Sequence, residues 1–292
     1  MHTHLAVVPH RGRPDSGAVG MMGRVATTAY PELDAVLTDL VGDVRGILGA
    51  DLVGVYLQGS FAAGDADEHS DVDFVVVTAD DVSSEQEPAL AVMHAAYPDR
   101  PVPWAQHLEG SYVPRKALRR LDPVRTPWLY VGNGGRVLER SAHDNTAVVR
   151  WTVREHGVAL AGPAPTELID PVSGDDLREE VRRTVELWAQ DDLEPGDGLD
   201  RLDNAWTQTH TVLAYCRILH TLATGTVGSK RAAGEWSIGH LDRRWAPLIR
   251  QALADRADPW ERLHQPARPG SVGPTHGFVR YALQAARAQG GD

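Results

Sequence analysis

The stretch GVYLQGSFAAGDADEHSDVDFVVVT, residues 54–78, constrains the fold of this chain more than any other segment. An apolar run leads into Gly59 and Ser60, and a polar spacer then leads to Asp71 and Asp73 at the start of the apolar run FVVV. Side chains alternate between the faces of a strand, so the two aspartates point the same way. The segment therefore predicts two neighbouring strands, with two carboxylates side by side where the second begins.

Two carboxylates this close together indicate a bound cation. Like charges repel, and one of the two groups must keep a proton unless a cation lies between them. Mg²⁺ binds a few carboxylates together with the oxygens of a phosphate. We therefore expect Asp71 and Asp73 to bind Mg²⁺. The alternative is a β-hairpin whose exposed face happens to carry both aspartates.

The Gly59-Ser60 pair supplies the phosphate side of the pattern. Glycine has no side chain, so the backbone N–H groups and the Ser60 hydroxyl can approach an anion closely. We expect a tight turn at this pair.

The complete arrangement of Gly-Ser, spacer and Asp-x-Asp between two strands resembles the polymerase-β-like nucleotidyltransferase superfamily. The resemblance implies that Gly59, Ser60 and Ser70 hold the triphosphate of ATP and that Asp71 and Asp73 bind two Mg²⁺ ions. Two metals about 4 Å apart stabilise the attacking and leaving oxygens of such a transfer.

A third carboxylate usually completes a site of this kind. Glu109, in the predicted strand HLEGSY, lies at the expected place. By resemblance to aminoglycoside nucleotidyltransferases, Glu109 would bind the metal or act as general base on the substrate hydroxyl. The alternative is a glutamate on a strand surface, with Glu85, Glu87 and Asp99 as the remaining candidates for the role.

The chain changes character near residue 172. Before that point helices and strands are mixed, with a hairpin turning at Asn133-Gly134, a helix capped by Asp144 or Asn145, and a proline-punctuated connection over 158–172. Beyond it every periodic segment has helical spacing. We therefore predict an α+β protein with disorder over residues 1–28, a nucleotidyltransferase domain over 29–171 and an all-α C-terminal domain over 172–292.

The segment CRILHTLATGTVGSKRAAGEW, residues 216–236, narrows the family. It resembles the helical domain of AadA-type aminoglycoside adenylyltransferases, the streptomycin and spectinomycin resistance group. That resemblance implies that Arg217 and Lys230 face the triphosphate, where cations neutralise the charge that builds on the leaving pyrophosphate. The alternatives are a solvated arginine on a helix face and a lysine in a first helical turn.

A helical wheel over residues 203–223 predicts where an acceptor binds. One side carries Asp203, Trp206, His210, Arg217 and Thr221, and the first four suit the wall of a cleft between the domains. The opposite side carries the predicted core residues Val212, Cys216, Leu219 and Ala223. The alternative is that the polar side is only the solvated side of a surface helix.

Two further residues bear on the acceptor. Thr207 falls where streptomycin-modifying relatives hold a substrate-binding aspartate, which predicts a remodelled pocket. Trp128 is a candidate aromatic wall for that pocket.

The bulk composition limits the partners. There are 40 acidic and 29 basic residues in 292, for a net charge of −11, which disfavours nucleic acid and favours a small cationic acceptor. Cys216 is the single cysteine, so no intrachain disulfide forms. Because the chain has neither a signal-peptide core near its start nor a long apolar run, we expect a cytoplasmic protein without membrane contact. We also expect a monomer.

These observations predict an Mg²⁺-dependent nucleotidyltransferase. It would transfer AMP from ATP to a hydroxyl of an aminoglycoside or aminocyclitol-like molecule, as antibiotic-resistance enzymes do. Two alternatives stay open: an enzyme of the same fold that modifies a protein or another small acceptor, and a non-catalytic nucleotide-binding module. The full helical domain argues against the protein-modifying enzymes, which are commonly a minimal catalytic domain, and the retention of both aspartates argues against a mere binder.

Overall fold

The computed structural model describes residues 28–68, 70–194, 197–256 and 262–289. The predicted disorder of residues 1–28 lies outside these ranges, apart from Thr28. In chain order the described elements are α1 (Pro31–Leu48), β1 (Leu52–Leu57), α2 (Gly59–Ala62), β2 (Val72–Thr78), α3 (Gln86–Ala96), β3 (Leu108–Pro114), α4 (Arg115–Arg119), β4 (Trp128–Val131), β5 (Leu138–Ser141), α5 (Ala147–His156), β6 (Val158–Ala161), α6 (Pro165–Leu168), α7 (Gly174–Asp192), α8 (Asp197–Leu202), α9 (Ala205–Thr224), α10 (Lys230–His240), α11 (Ala246–Ala254) and α12 (Val272–Ala288).

The strands form one mixed sheet in the order β5-β4-β3-β2-β1-β6. β2 and β3 are parallel, and the other neighbouring strands are antiparallel. The predicted α+β class, with helices following the sheet, is therefore confirmed. The prediction that residues 158–172 form only a connection is wrong, because β6 adds to the sheet edge beside β1. A strand of four residues is too short to show a period in the sequence.

Each face of the sheet is covered by helices. Phe74 and Val76 pack with α1 and α3 on one face, and Val75 and Val77 pack with α5 and α6 on the other. By the same alternation, Asp73 lies on the Val75 face. The Asp73 carboxylate therefore lies on the face of the sheet that α5 and α6 cover.

The C-terminal helices form a second core around α9. α9 contacts α7, α10, α11 and α12, and its buried residues include the predicted Val212, Cys216 and Leu219. The prediction that Ala223 is buried is wrong. α9 ends at Thr224 with the left-handed Gly225 as its cap, so Ala223 lies in the last turn. Thr221, which the helical wheel places on the polar side, is instead buried.

The helix α5 begins later than the sequence indicates. Thr146 caps it, because the Thr146 hydroxyl accepts a hydrogen bond from the Val149 N–H at 3.0 Å. The prediction of Asp144 or Asn145 as the cap is wrong, and Asp144 is left available for contacts with the sheet. Within the described ranges no helix is long and apolar enough to cross a membrane. The domain boundary at residue 172 stays a prediction.

Candidate active site

Three carboxylates meet where β2 and β3 begin. The parallel register sets Asp73 directly beside Glu109, and Asp71 precedes β2 by one residue. One oxygen from each of Asp71, Asp73 and Glu109 lies within 4.8 Å of the others. The structure therefore brings together the three residues that the sequence nominates as metal ligands.

The electrostatics of this cluster call for a cation. Burial raises the pKa of Asp73 well above its usual range, and the charges of Asp71 and Glu109 raise it further. Burial also raises the pKa of Glu109, although a hydrogen bond from Tyr130 opposes that shift. A divalent ion between carboxylates removes this cost, and three carboxylate oxygens suit Mg²⁺. The residues present therefore fit the metal.

Gly59 makes room for this arrangement. The predicted tight turn is instead the short helix α2, entered with Gly59 at a φ of 63°. A Cβ on Gly59 would lie 1.8 Å from Oδ2 of Asp73, so a larger residue would displace that carboxylate. The Gln58 N–H donates to the Asp73 carbonyl oxygen at 2.8 Å and fixes the backbone beside the carboxylate.

The two serines of the motif differ in their environment. The Ser60 Oγ is buried and has no hydrogen-bond partner in the described structure, which is unfavourable unless a ligand supplies one. The Ser70 Oγ accepts from the Asp67 N–H at 3.0 Å and donates to Asp67 Oδ1 at 3.2 Å. Ser60 is thus the serine whose hydroxyl is free to bind a ligand among the described residues, and the phosphate role of both serines stays a prediction.

Two cations of the C-terminal helices face the carboxylates. Burial lowers the pKa of the Arg217 guanidinium, against the attraction of Asp73, and Arg217 Nε donates to the Gly228 carbonyl at 3.1 Å. Burial likewise lowers the pKa of Lys230, against the attraction of Asp71. Both side chains therefore interact electrostatically with the carboxylates, and their contact with the triphosphate stays a prediction.

Comparison with known proteins identifies this arrangement. A family model described as aminoglycoside adenylyltransferase, C-terminal domain, matches residues 167–268, and a nucleotidyltransferase domain matches residues 41–120. The chain is 27% identical over 251 residues to an aminoglycoside (3'') (9) adenylyltransferase of Shigella flexneri, covering 80% of this chain and 92% of the relative. The chain belongs to the AadA-type nucleotidyltransferase family. The family predicted from the sequence is thereby confirmed, and this nucleotidyltransferase is an enzyme.

Further relatives agree with this placement. A spectinomycin 9-adenylyltransferase of Staphylococcus aureus is 25% identical over 235 residues, covering 76% of this chain and 85% of the relative. The fold is also that of the crystal structure of spectinomycin adenyltransferase AAD(9) from Enterococcus faecialis with ATP and spectinomycin. The TM-score is 0.64 at 14% sequence identity, and the match covers 86% of this chain and 98% of that one.

Two of the residues predicted to bind the acceptor, Trp206 and His210, lie against each other in this nucleotidyltransferase. The rings of Trp206 and His210 stack with centroids 5.0 Å apart. Burial, with the charges of Lys230 and Arg217, lowers the pKa of His210 to about 4, so His210 is neutral at pH 7 and lies near the cations. Asp203 is exposed and precedes α9, so the helical wheel does not apply to it, and its role stays a prediction.

The structure corrects the placement of Trp128. This side chain is 3% exposed and packs in the core on one face of the sheet, with the guanidinium of Arg150 5.1 Å from its ring centroid. It therefore forms no open pocket wall. Tyr130, two residues further along the same face of β4, is the aromatic residue that reaches the carboxylates.

Four side chains around Glu109 were missed from the sequence. The Tyr130 hydroxyl donates to Glu109, and His143 Nε2 lies 3.5 Å from Glu109 Oε1. Asp144, 5% exposed, accepts from the Ser111 Oγ at 2.7 Å, and burial raises its pKa. Ser111 lies two residues after Glu109 in β3, so strand alternation was a signal for it, whereas His143 and Asp144 arrive through tertiary contacts.

The other candidate carboxylates lie elsewhere. Glu87 pairs with Arg140 at 2.8 Å, and Asp99 pairs with Arg136 at 2.6 Å. Glu85 is exposed immediately before α3. Among the described residues, Glu109 is thus the third carboxylate of the cluster.

Proposed function

We propose that this nucleotidyltransferase transfers AMP from ATP to a hydroxyl of an aminoglycoside or an aminocyclitol. The observation that carries the proposal is the convergence of three carboxylate oxygens within 4.8 Å of one another, with the cations of Arg217 and Lys230 in electrostatic contact with Asp71 and Asp73. The names of the relatives give the acceptor class, and the net charge of −11 suits a cationic acceptor.

Asp71, Asp73 and Glu109 would hold Mg²⁺, for which we propose two ions. When bound, the metal stabilises charge on the attacking and leaving oxygens. The raised pKa of Asp73 supports this assignment, because the cluster carries more negative charge than it can keep ionised alone.

The protein side chains divide the remaining work. Glu109 accepts the proton of the acceptor hydroxyl. The hydroxyl oxygen then forms a bond to the α-phosphorus of ATP, and the bond between that phosphorus and the leaving pyrophosphate breaks. The pKa of Glu109 is raised by burial, which brings it nearer the working pH of a general base. The buried Ser60 hydroxyl donates to a phosphate oxygen, and Arg217 and Lys230 take up the charge that develops on the pyrophosphate.

We place the acceptor against Trp206 and His210, with Asp203 at the entrance. A stacked indole and imidazole offer an apolar face with a polar edge, which suits a sugar ring. Because His210 is neutral at pH 7, it can accept a hydrogen bond without repelling a cationic acceptor.

The test is a reaction of the purified protein with ATP, MgCl₂ and either streptomycin or spectinomycin, read by mass spectrometry of the antibiotic. We expect the mass of one AMP group to be added to at least one of them, and no addition with the D71N variant. Unmodified antibiotics, with pyrophosphate released only when a protein extract is added, would indicate a protein acceptor instead.

A further inference from the structure

Asp65, in the loop between α2 and β2, is held by the C-terminal helices. Nη1 of Arg256 lies 2.9 Å from both Asp65 carboxylate oxygens, and Nη2 of Arg256 donates to the Asp65 carbonyl at 2.6 Å. Arg231 adds its Nε and its backbone N–H, each at 3.2 Å. The Asp65 side chain is only 9% exposed. Four donors from two arginines thus converge on one aspartate of the nucleotidyltransferase domain.

These contacts fix the start of α10. Lys230 is the first residue of α10 and Arg231 is the second. The first N–H groups of a helix have no partner within the helix, and Asp65 accepts one of them while the Ser229 hydroxyl accepts another, from Ala232. The orientation of the Lys230 backbone therefore depends on Asp65.

The same aspartate is connected to the phosphate side of the site. The Asp65 N–H donates to the Ser60 carbonyl at 3.1 Å. Asp65 consequently lies between Ser60 and Lys230, the two groups that would contact the triphosphate from opposite domains. Its own carboxylate oxygens are occupied by Arg231 and Arg256, so it acts through its neighbours rather than on the nucleotide.

Asp65 keeps its charge at neutral pH. Burial alone raises the pKa of this carboxyl, but the hydrogen bonds from Arg256 and Arg231 outweigh burial and lower it below its usual range. Lys230 is in the opposite situation, because burial lowers the pKa of its ammonium. A lysine whose backbone is already fixed loses less conformational freedom when a ligand binds, so a pre-organised contact costs less on binding.

We propose that Asp65 is a positioning residue, which anchors the first turn of α10 so that Lys230 faces the triphosphate of ATP. The inference rests on the proposed function, because it assumes that Lys230 contacts the nucleotide. It adds a residue of the motif loop that is neither a metal ligand nor a phosphate contact.

The test measures ATP binding by calorimetry in the presence of Mg²⁺ and without acceptor. Asp65→Asn keeps the shape and removes the charge, and we expect it to raise the Kd for ATP about tenfold. Because Lys230 also takes up charge on the leaving pyrophosphate, kcat at saturating ATP should fall as well. Asp170→Asn is the matched control, because Asp170 also pairs with two arginines, Arg119 and Arg120, but on the surface of one domain. The control should leave the Kd unchanged.

A double-mutant cycle separates positioning from general damage. If Asp65 acts through Lys230, adding Asp65→Asn to Lys230→Gln should not raise the Kd further, whereas independent effects would multiply. Arg256→Gln removes the same contact from the other side and should reproduce Asp65→Asn. It guards against a folding defect of the aspartate variant.

The outcomes distinguish this inference from the proposed function. If the wild type binds ATP and both Asp65→Asn and Arg256→Gln bind it with the same Kd, the inference about Asp65 is overturned and the proposed function is not. Full multiplicativity in the cycle with Lys230→Gln would also overturn it. No ATP binding by the wild type would overturn the proposed function, and the inference with it.

Discussion

Gly59→Ala should disable the enzyme far more than it destabilises the protein. Two costs arise at this position. A φ of 63° costs an alanine about 1 to 2 kcal/mol, and its Cβ would lie 1.8 Å from Oδ2 of Asp73. The Asp73 carboxylate must then move by more than about 1 Å to regain van der Waals contact. A displacement of that size in a reacting group costs about 10²-fold in rate, or about 2.7 kcal/mol.

Gly64 supplies the matched control for this prediction. It has nearly the same backbone conformation, with a φ of 68°, but a Cβ there would meet no atom within 4 Å. Gly64→Ala should therefore lower the free energy of unfolding in urea by about 1 to 2 kcal/mol and leave kcat/KM within about threefold. Gly59→Ala should lose about 10²-fold in kcat/KM at a comparable strain cost. Equal activity in the two variants would refute the argument that Gly59 is required to place Asp73.

The site makes four further predictions. Asp71→Asn and Asp73→Asn should each lower kcat by more than tenfold in initial-rate assays, a loss above about 1.4 kcal/mol, and a smaller loss would contradict the metal assignment. In EDTA and at a pH above 7, Asp73→Asn should raise the thermal midpoint of unfolding. Burial raises the folded pKa of Asp73, so its charge destabilises the folded protein as the pH rises through that pKa, and asparagine carries no such charge. An unchanged midpoint would contradict this reasoning. Glu109→Gln should lower kcat about 10²- to 10⁴-fold, and Tyr130→Phe should lower it about tenfold, while the KM for ATP stays nearly unchanged in both. A fully active Glu109→Gln variant would show that Glu109 is not the general base. Trp206→Ala should raise the KM for the acceptor, which should also rise with salt, but not the KM for ATP; equal effects on both substrates would place the acceptor elsewhere.

The sequence was sufficient where a local period fixed the answer. Alternation along β2 placed Asp71 and Asp73 on one face, and the apolar spacing of α9 identified Cys216 and Leu219 as core. Glu109 joined them because parallel β2 and β3 begin at the same edge of the sheet.

The sequence was insufficient where contacts between distant segments decide. Trp128 and Tyr130 share one face of β4, and only the pairing of β4 with β3 determines which of them reaches Glu109. Asp65 lies in a polar loop with no period, and its partner Arg256 is far along the chain. Asp144 looked like a helix cap because the competing cap, Thr146, is equally suitable by type.

The most direct measurement of the central claim quantifies two products of one reaction. Wild-type protein, ATP, MgCl₂ and the preferred antibiotic are incubated, and pyrophosphate and AMP-modified antibiotic are measured together. We expect both to appear in equal amounts, and neither to appear in EDTA or with the D73N variant. Pyrophosphate released without modified antibiotic, or modification that persists in EDTA, would contradict it.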